Sequence, residues 1–543
     1  MKNTLSDALH EIITVLDYPE TNIVVQLPKN PEHGDFSTNL AMQLGGELGK
    51  NPRDIAQILA EKLIENYPKL VESAHIAGPG FLNITINKEM FVTLLRTVLK
   101  KNITFGQTEL GKENKAQVEF ISANPTGPLT VGHGRGAILG DVVSNILEWN
   151  GYEVDREYYY NNAGKQMQRL GESVQARYLE LVGENPEFPE EGYEGKYIID
   201  IAQDLKDKNG DALKDATDIA PFIQAAEPTI FLQIEKTLNR IGLKFDQFFN
   251  ENSLYESGAI EEVVAALRQK GLIYEKEGAT WFKATKAGRD QDRVIIKSSG
   301  EPTYRLPDIA YHRNKFERGY DLIVDVLGAD HMDAYPDVLA GIEQLGYDTN
   351  KVKVLIHQFV TLMEKGEAVK MSTRKAQYIT LDELIEEVGT DVVRYFFIMR
   401  GMNTHLNFDM ILAKDESDEN PIYYLQYAHA RLCNILKHAK DLGHIMDENS
   451  DLSPLTLESD IQLIKNLMEF PHIVERTHES LEPQMIANYL HDLAGTFHRY
   501  YAKERVVTNN KAMTSARLVL VRAVQIVLSN GLTILGIHAP EQM

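Results

Sequence analysis

The sequence predicts an α/β protein: a parallel-sheet domain with an insertion, an α+β module before it and an all-helical domain after it. Three observations carry this. From Gln117 onward, short apolar runs of strand length alternate with helical spacing, the signature of parallel strands joined by crossovers. Before that point, helical and strand-like runs are mixed within about a hundred residues. After about Leu412 the strand signal fades and only helical spacing remains. At 543 residues the chain exceeds one core and suggests about three or four units.

The elements follow in order. The first module, residues 1–108, has a helix at Ser6–Val15, an apolar strand at Ile23–Leu27 and helices around Leu40 and Ile55. Asn51-Pro52-Arg53-Asp54 reads as a helix start, since proline is tolerated in a first turn. The polar run Gly106–Lys115 reads as a linker. The central domain, residues 109–412, has strands at Val118–Ile121, Leu322–Leu327 and Val352–Ile356. The mainly helical stretch between the first two is too long for a crossover, so an insertion is expected at about 168–292, with an acidic Pro/Gly-rich loop at Gly183–Gly195. Residues 413–543 should form helices at Tyr423–Ala439, Asp460–Thr477, Met485–Val506 and Met513–Ser529. The last is apolar on most sides and is expected to be central.

Composition narrows the class. With 43% hydrophobic and 25% charged residues and no low-complexity tract, this is an ordinary globular composition. The first residues are too often charged for a secretory signal, and no run approaches the roughly 18 apolar residues of a membrane span. A cytoplasmic location without membrane attachment is expected. The single cysteine, Cys433, excludes an internal disulfide and a multi-thiolate zinc site, and its apolar helical surroundings suggest a buried structural thiol. A formal charge of −23 argues against indiscriminate nucleic-acid binding, while leaving room for a specific partner held by local basic patches; DNA is not expected to be that partner.

The stretch from Glu119 to Asp141 places a strand, a Pro/Gly loop, a Gly-His-Gly step and a helix start in a row. A helix beginning near Gly132 presents unpaired N–H groups and the positive end of its dipole to a nucleotide's phosphates. Gly132, Gly134 and Ala137 also imitate a dinucleotide fingerprint, with Glu153 or Asp155 about 20 residues on. That reading fails on context, because the fingerprint should follow its strand directly and Ala123–Leu129 intervenes.

Thr130-Val131-Gly132-His133 resembles the HIGH tetrapeptide of class I aminoacyl-tRNA synthetases, and Lys370-Met371-Ser372-Thr373-Arg374 resembles their KMSKS loop. In this order, with an insertion between and helices after, the pair is specific. The wider sequence resembles the arginyl-tRNA synthetase family over essentially its whole length. The run Ala123-Asn124-Pro125-Thr126-Gly127-Pro128-Leu129 leading into the tetrapeptide matches the ANPTGPLHVGHxRGAxxGD form of bacterial members. Pro28–Asn39, Asp308–Asp330, Tyr423–Arg431 and the terminal GLTILGIHAPEQM resemble further parts of these enzymes.

The resemblance implies a Rossmann-like class I catalytic domain, an N-terminal tRNA-contacting module and a C-terminal anticodon-binding domain. It implies an arginine–tRNA ligase with ATP, L-arginine and tRNA(Arg) as partners, Mg2+ accompanying ATP, no tightly bound protein metal, a monomer, and activation that needs tRNA. Catalytic roles fall on His133, Thr130 and Lys370. ATP-binding positions fall on Gly132, His133, Gly134, Gly328, Asp330, Lys370, Met371 and Arg374. Arginine-binding positions fall on Glu119, Asn124, Tyr304, Asp308 and His331.

The chemistry suits these residue types. Activation is in-line attack of a carboxylate on the α-phosphate of ATP, so catalysis is positioning plus neutralisation of growing charge. Gly132 lets adenine or ribose approach the backbone, and His133 hydrogen-bonds phosphate oxygens. Lys370, Arg374 and Lys375 would form a cationic flap over the outer phosphates. A planar guanidinium calls for carboxylates such as Glu119 and Asp308, with Tyr304 as a wall and Asn124 on the amino-acid backbone. Ordinary readings stand beside these: a helix-capping histidine, a solvated charged loop, strand-end carboxylates, a turn asparagine and a core tyrosine. His498–Val506 interleaves aromatics with cations and suits unstacked RNA bases, or equally a half-buried helix.

Two positions depart from the family. Thr130 replaces the first histidine of the tetrapeptide, at an expected cost of about 1.5–3 kcal/mol, or roughly 10- to 100-fold in rate. Thr373 replaces the second lysine of the loop, where Arg374 and Lys375 supply charge. A non-catalytic tRNA- or arginine-binding paralogue is the alternative, opposed by the joint presence of Gly132, His133, Lys370 and the arginine-pocket residues. The cysteinyl enzyme is opposed by the absence of zinc-type cysteines.

Overall fold

The structure is a computed structural model and describes residues 2–26, 28, 33–369 and 379–543. Among these residues the N-terminal module comprises α1 (Lys2–Val15), β1 (Val25–Gln26), β2 (Phe36–Thr38), α2 (Leu40–Leu48), α3 (Pro52–Asn66), β3 (Val71–Ala77), β4 (Phe81–Ile86) and α4 (Lys88–Lys101). Its strands form an antiparallel sheet in the order β1-β2-β4-β3. α3 begins as its sequence suggests: the Asn51 side chain accepts the Arg53 N–H at 3.0 Å and Pro52 occupies the first turn. β1 is shorter than the expected strand, whose last residue, Leu27, lies outside the described residues.

The central elements are β5 (Lys115–Phe120), α5 (Val131–Trp149), β6 (Glu153–Tyr160), α6 (Gly164–Leu181), α7 (Lys196–Asn209), α8 (Ala220–Arg240), β7 (Gln247–Asn250), α9 (Asn252–Glu256), α10 (Ala259–Gln269), β8 (Ile273–Lys276), β9 (Ala279–Phe282), β10 (Arg293–Ile296), α11 (Arg305–Glu317), β11 (Leu322–Gly328), α12 (Tyr335–Leu345) and β12 (Val352–His357). Five of the strands form a wholly parallel sheet in the order β12-β11-β5-β6-β7. β11 and β12 match the expected strands, and β5 overlaps its own, starting earlier at Lys115 and ending before Ile121. β6 and β7 were not expected, because EVDREYYY and QFFN lack the apolar runs that mark a buried strand. β7 also lies inside the interval 168–292, so the chain returns to the main sheet within the expected insertion. Outside that sheet in the interval lie the α6–α8 helices and most of a small antiparallel sheet, β8-β9-β10.

Helix α5 is pressed onto β5. A Cβ at Gly140 would stand 2.1 Å from Cγ of Phe120, which is fully buried. The bare glycine therefore sets how closely the helix approaches the strand. Gly140→Ala should overpack this contact and destabilise by about 1–3 kcal/mol, measured as a lower urea midpoint at unchanged slope. No change in midpoint would show that Phe120 can turn aside.

Next come β13 (Val360–Glu364), β14 (Glu367–Ala368), α13 (Leu381–Val388), α14 (Thr390–Ile398), β15 (Leu406–Asp409) and α15 (Met410–Ala413). The C-terminal domain is α16 (Pro421–Asp441), α17 (Glu458–Ser480), α18 (Gln484–Lys503) and α19 (Lys511–Ile534), close to the expected helices. α19 is long and apolar enough to cross a membrane by length and composition, but its apolar residues, Leu518 to Leu528 among them, are buried within the domain. Cys433 on α16 is half-buried and accepts a bond from the Gln525 amide at 2.8 Å; burial raises its thiol pKa. The helical domain is tied to α5 by buried Arg394 on α14. That guanidinium donates to Asp141 of α5, to the Ile241 carbonyl at 2.9 Å and to the Leu535 carbonyl at 3.0 Å.

Candidate active site

The order of the parallel sheet reverses between β5 and β11. Side chains and loops at the carboxyl ends of strands diverge at such a point and leave a crevice. A cavity of about 880 Å³ lies there, lined from the ends of β5, β6, β11 and β12 and from α5 and α11. Directly after β5, Ile121 and Ser122 both adopt left-handed backbone, with φ of 70° and 47°. A β-branched residue in that region is strained, and the turn it makes brings Ser122 and Asn124 to the cavity that Glu119 faces from β5.

One end of the cavity is built by the start of α5. Thr130 is the N-cap in extended backbone, and its N–H donates to Nδ1 of His133 at 3.1 Å. Nδ1 is thereby an acceptor, so the neutral ring carries its proton on Nε2. Burial lowers the His133 pKa, with Asp330 opposing, so the imidazole stands neutral and ready to donate. Gly132 is exposed, and a Cβ there would meet only Thr130 Oγ1 at 3.6 Å. A side chain at that position would occupy the cavity itself. Gly328, Asp330 and His331 line the same end, Asp330 lying 3.6 Å from His331 Nε2, which sets His331 beside the nucleotide-end residues rather than among the arginine-binding positions where it was expected.

Gly134 does not belong with them. A Cβ on it would meet Leu381 at 2.7 Å and Phe397 at 3.0 Å, so this glycine serves packing against α13 and α14 rather than the expected ATP-binding role. Its N–H is spent on the Thr130 carbonyl. Pro125, Pro128, Leu129 and Val131 are buried, while Thr126 and Gly127 are held by Tyr197, whose hydroxyl donates to the Thr126 carbonyl at 2.7 Å. Arg135 does not replace the imidazole missing at Thr130. It is buried and points away, donating to the carbonyls of Gln358, Thr404 and Gly401 at 2.7, 2.9 and 3.0 Å. Leu129 and Thr130 also pair with Thr380 and Leu381, so the chain leaving residues 370–378 is tied to the start of α5. Lys370, Met371 and Arg374 themselves lie outside the described residues.

The other end is acidic. Asp308 on α11 is half-buried and has no hydrogen-bond or ion-pair partner for its carboxylate among the described residues. Burial, reinforced by Glu119 and Glu251 against His312 and Lys315, pushes its pKa up to about 7. Tyr304, 58% exposed at the cap of α11, forms the rim beneath Arg305. Glu119 is not free as expected: its two oxygens accept from Lys315 at 2.6 Å and from Ser122 at 2.8 Å. Asn124 is likewise engaged, accepting from the Asn161 N–H at 2.9 Å and donating to Gln166 at 2.8 Å, with one N–H left over.

Sequence reasoning missed Glu251 and His357. Glu251 follows β7 and accepts from Tyr159 at 2.7 Å and Asn161 at 2.8 Å. Nothing near it in sequence marks it, because β7 was itself invisible. His357 ends β12 in room left by Gly136, where a Cβ would stand 2.8 Å from Nε2, and burial lowers its pKa to about 4. A histidine closing an apolar run was the available signal.

Comparison with known proteins agrees with this geometry. A family profile described as "tRNA synthetases class I (R), catalytic domain" matches residues 94–395, "Arginyl tRNA synthetase N terminal domain" matches residues 1–86, and "DALR anticodon binding domain" matches residues 425–543. A parallel sheet with this reversal, an α5 start built on Gly132 and His133, and a helical C-terminal domain define a class I aminoacyl-tRNA synthetase. An arginine–tRNA ligase of Salinibacter ruber is 49% identical over the full length of both chains, and one of Desulfotalea psychrophila is 52% identical over 96% of this chain and 94% of its own. The solved arginyl-tRNA synthetase of Thermus thermophilus shares the fold, with a TM-score of 0.78 over both whole chains at 23% identity. The chain belongs to the arginyl-tRNA synthetase family.

Proposed function

We propose that this enzyme activates L-arginine with ATP and transfers it to the 3′-terminal ribose of tRNA(Arg), with the two ends of one cavity holding the two small substrates. The observation that carries the reading is Asp308, a carboxylate without a cation, beside Glu251 and at the opposite end from His133. Asp308 and Glu251 take the guanidinium and Tyr304 covers its stem. Gly132 admits adenine or ribose, and His133 Nε2–H donates to the α-phosphate as negative charge grows on it. The arginine carboxylate attacks that phosphorus in line and pyrophosphate leaves. A terminal ribose hydroxyl then attacks the activated carbonyl and AMP leaves. Gly328, Asp330 and His331 border the nucleotide, and Asn124 offers its remaining N–H to the amino acid. Lys370, Met371 and Arg374 are assigned to the outer phosphates from the sequence resemblance. Mg2+ would accompany ATP on its own phosphates.

The division into residues 1–108, 109–412 and 413–543 gives the first module a tRNA-contacting role and the last the anticodon. A concavity of about 670 Å³ on α16 and α18 supports the latter. Arg431 stacks 4.3 Å over Tyr427 there, with Tyr501, Lys503 and Arg505 beside it. The segment His498–Val506 divides: Tyr500 is buried on Asp460, and Tyr501 is 40% exposed. A cytoplasmic monomer completes the reading.

The test is arginine-dependent ATP–pyrophosphate exchange with and without tRNA(Arg). Exchange with arginine is expected, and its absence in both conditions sinks the proposal. Lysine in place of arginine should be inert. The guanidinium needs an ionised Asp308, whose free-state pKa is about 7. The KM for arginine should therefore be flat above about pH 8 and rise roughly tenfold per unit as pH falls below about 7. A flat profile from pH 5.5 to 8.5 would remove Asp308 from recognition.

A further inference from the structure

The floor beneath Asp308 is a four-membered charge cluster that nothing in the reaction itself requires. Glu119 on β5 and Asp325 on β11 are directly paired in the parallel register, and both are buried. Two carboxylates side by side in a dry sheet face would repel strongly. Lys315, fully buried, bridges them with 2.6 Å contacts to each and lies 4.3 Å over the Tyr311 ring. His312, one turn after Asp308, places Nε2 2.9 Å from Asp325 and Nδ1 2.8 Å from the Asp308 carbonyl. A carbonyl and a carboxylate only accept. Both ring nitrogens must therefore donate, so the contacts require the imidazolium. Two cations thus stand on two acids.

We propose that Lys315 and His312 are positioning residues that cancel Glu119 and Asp325, leaving the net negative charge of the arginine end on Asp308 and Glu251, where the guanidinium binds. The inference rests on the arginine-activating reading above. The lysine that would compete with substrate is locked into the floor and the histidine is fixed to the helix carrying Asp308. Around Asp308 stand Glu119 from β5, Tyr159 from β6, and Glu251 and Tyr255 from the segment after β7. Its own helix adds Tyr311, His312 and Lys315, and β11 adds Asp325. Glu157 on β6 is taken up by Tyr311 and Arg318. The cations here favour the ionised form of Asp308 and Glu119 disfavours it.

The experiment is the pH profile of kcat/KM for arginine in the full-length enzyme. Lys315→Met should move the acid limb upward by about one pH unit and raise the KM for arginine at pH 7 by about fivefold, with the KM for ATP within about threefold. His312→Gln, which exposes only one acid, should move the limb the same way. Glu119→Gln/Lys315→Met removes one charge of each sign and should return the limb to near its wild-type position. Lys315→Arg should behave like wild type. Limbs that stay in place in both single variants, or a double variant that stays shifted, overturn the inference. Loss of arginine-dependent exchange in the wild-type enzyme would instead overturn the reading on which it rests. Should Lys315→Met fail to fold, His312→Gln and the double variant decide the matter alone.

Discussion

Asp308→Asn should raise the KM for arginine by about 100-fold or more while moving the KM for ATP by no more than about threefold. Asparagine keeps the volume of the side chain, so the fold is preserved, but it presents an amide donor where the guanidinium presents only donors. A bidentate charge-assisted pair is replaced by at most one neutral bond, a difference of about 3 kcal/mol, and each 1.4 kcal/mol is tenfold in affinity. The effect should be concentrated here rather than at Glu119, because Glu119 already accepts from Lys315 and Ser122. Asp308→Asn should also flatten the acid limb of the arginine profile. A KM near the wild-type value would transfer the selector role to Glu251, whose oxygens meet the neutral donors Tyr159, Asn161 and Tyr255 among the described residues.

The sequence made the architecture legible wherever burial wrote itself as apolar runs. Val118, Val324 and Val354 mark strands by composition, and α19 announces its central place because nearly every side is apolar. β6 and β7 were hidden because they carry charged or aromatic residues whose partners lie far along the chain: Asp155 meets Tyr320, and Glu157 meets Arg318 and Tyr311. No local pattern contains such pairings. The candidate site divides the same way. Gly132, His133, Tyr304 and Asp308 could be picked out by motif and do line one cavity. The state of each side chain could not. Whether Glu119 is free, whether Gly134 faces ligand or Phe397, and which nitrogen of His133 bears hydrogen depend on contacts made across about 3 to 260 residues of chain. Arg135 shows the limit most clearly, since a basic residue two places after the catalytic-type histidine proves to be a buried tie to a distant loop.

His133→Ala should lower the rate of arginine-dependent pyrophosphate exchange by roughly 10- to 100-fold, chiefly in kcat, as expected for a bond made most strongly when charge grows on the phosphate. The geometry makes the expectation specific. The Thr130 N–H occupies Nδ1 and fixes the ring so that Nε2–H, not a lone pair, faces the cavity. Burial keeps the ring neutral in the free enzyme, and with Nδ1 held as an acceptor the donor to the growing phosphate charge is the neutral Nε2–H. Alanine removes that donor and also releases the Thr130 N–H that the ring had satisfied. Thr130→His acts through the side chain alone, leaving that backbone bond available, and should keep or raise the rate. The two results together separate capping from catalysis. If His133 merely capped α5, His133→Asn, which can still accept the Thr130 N–H, would restore the rate; if it works on phosphate, asparagine should remain as slow as alanine.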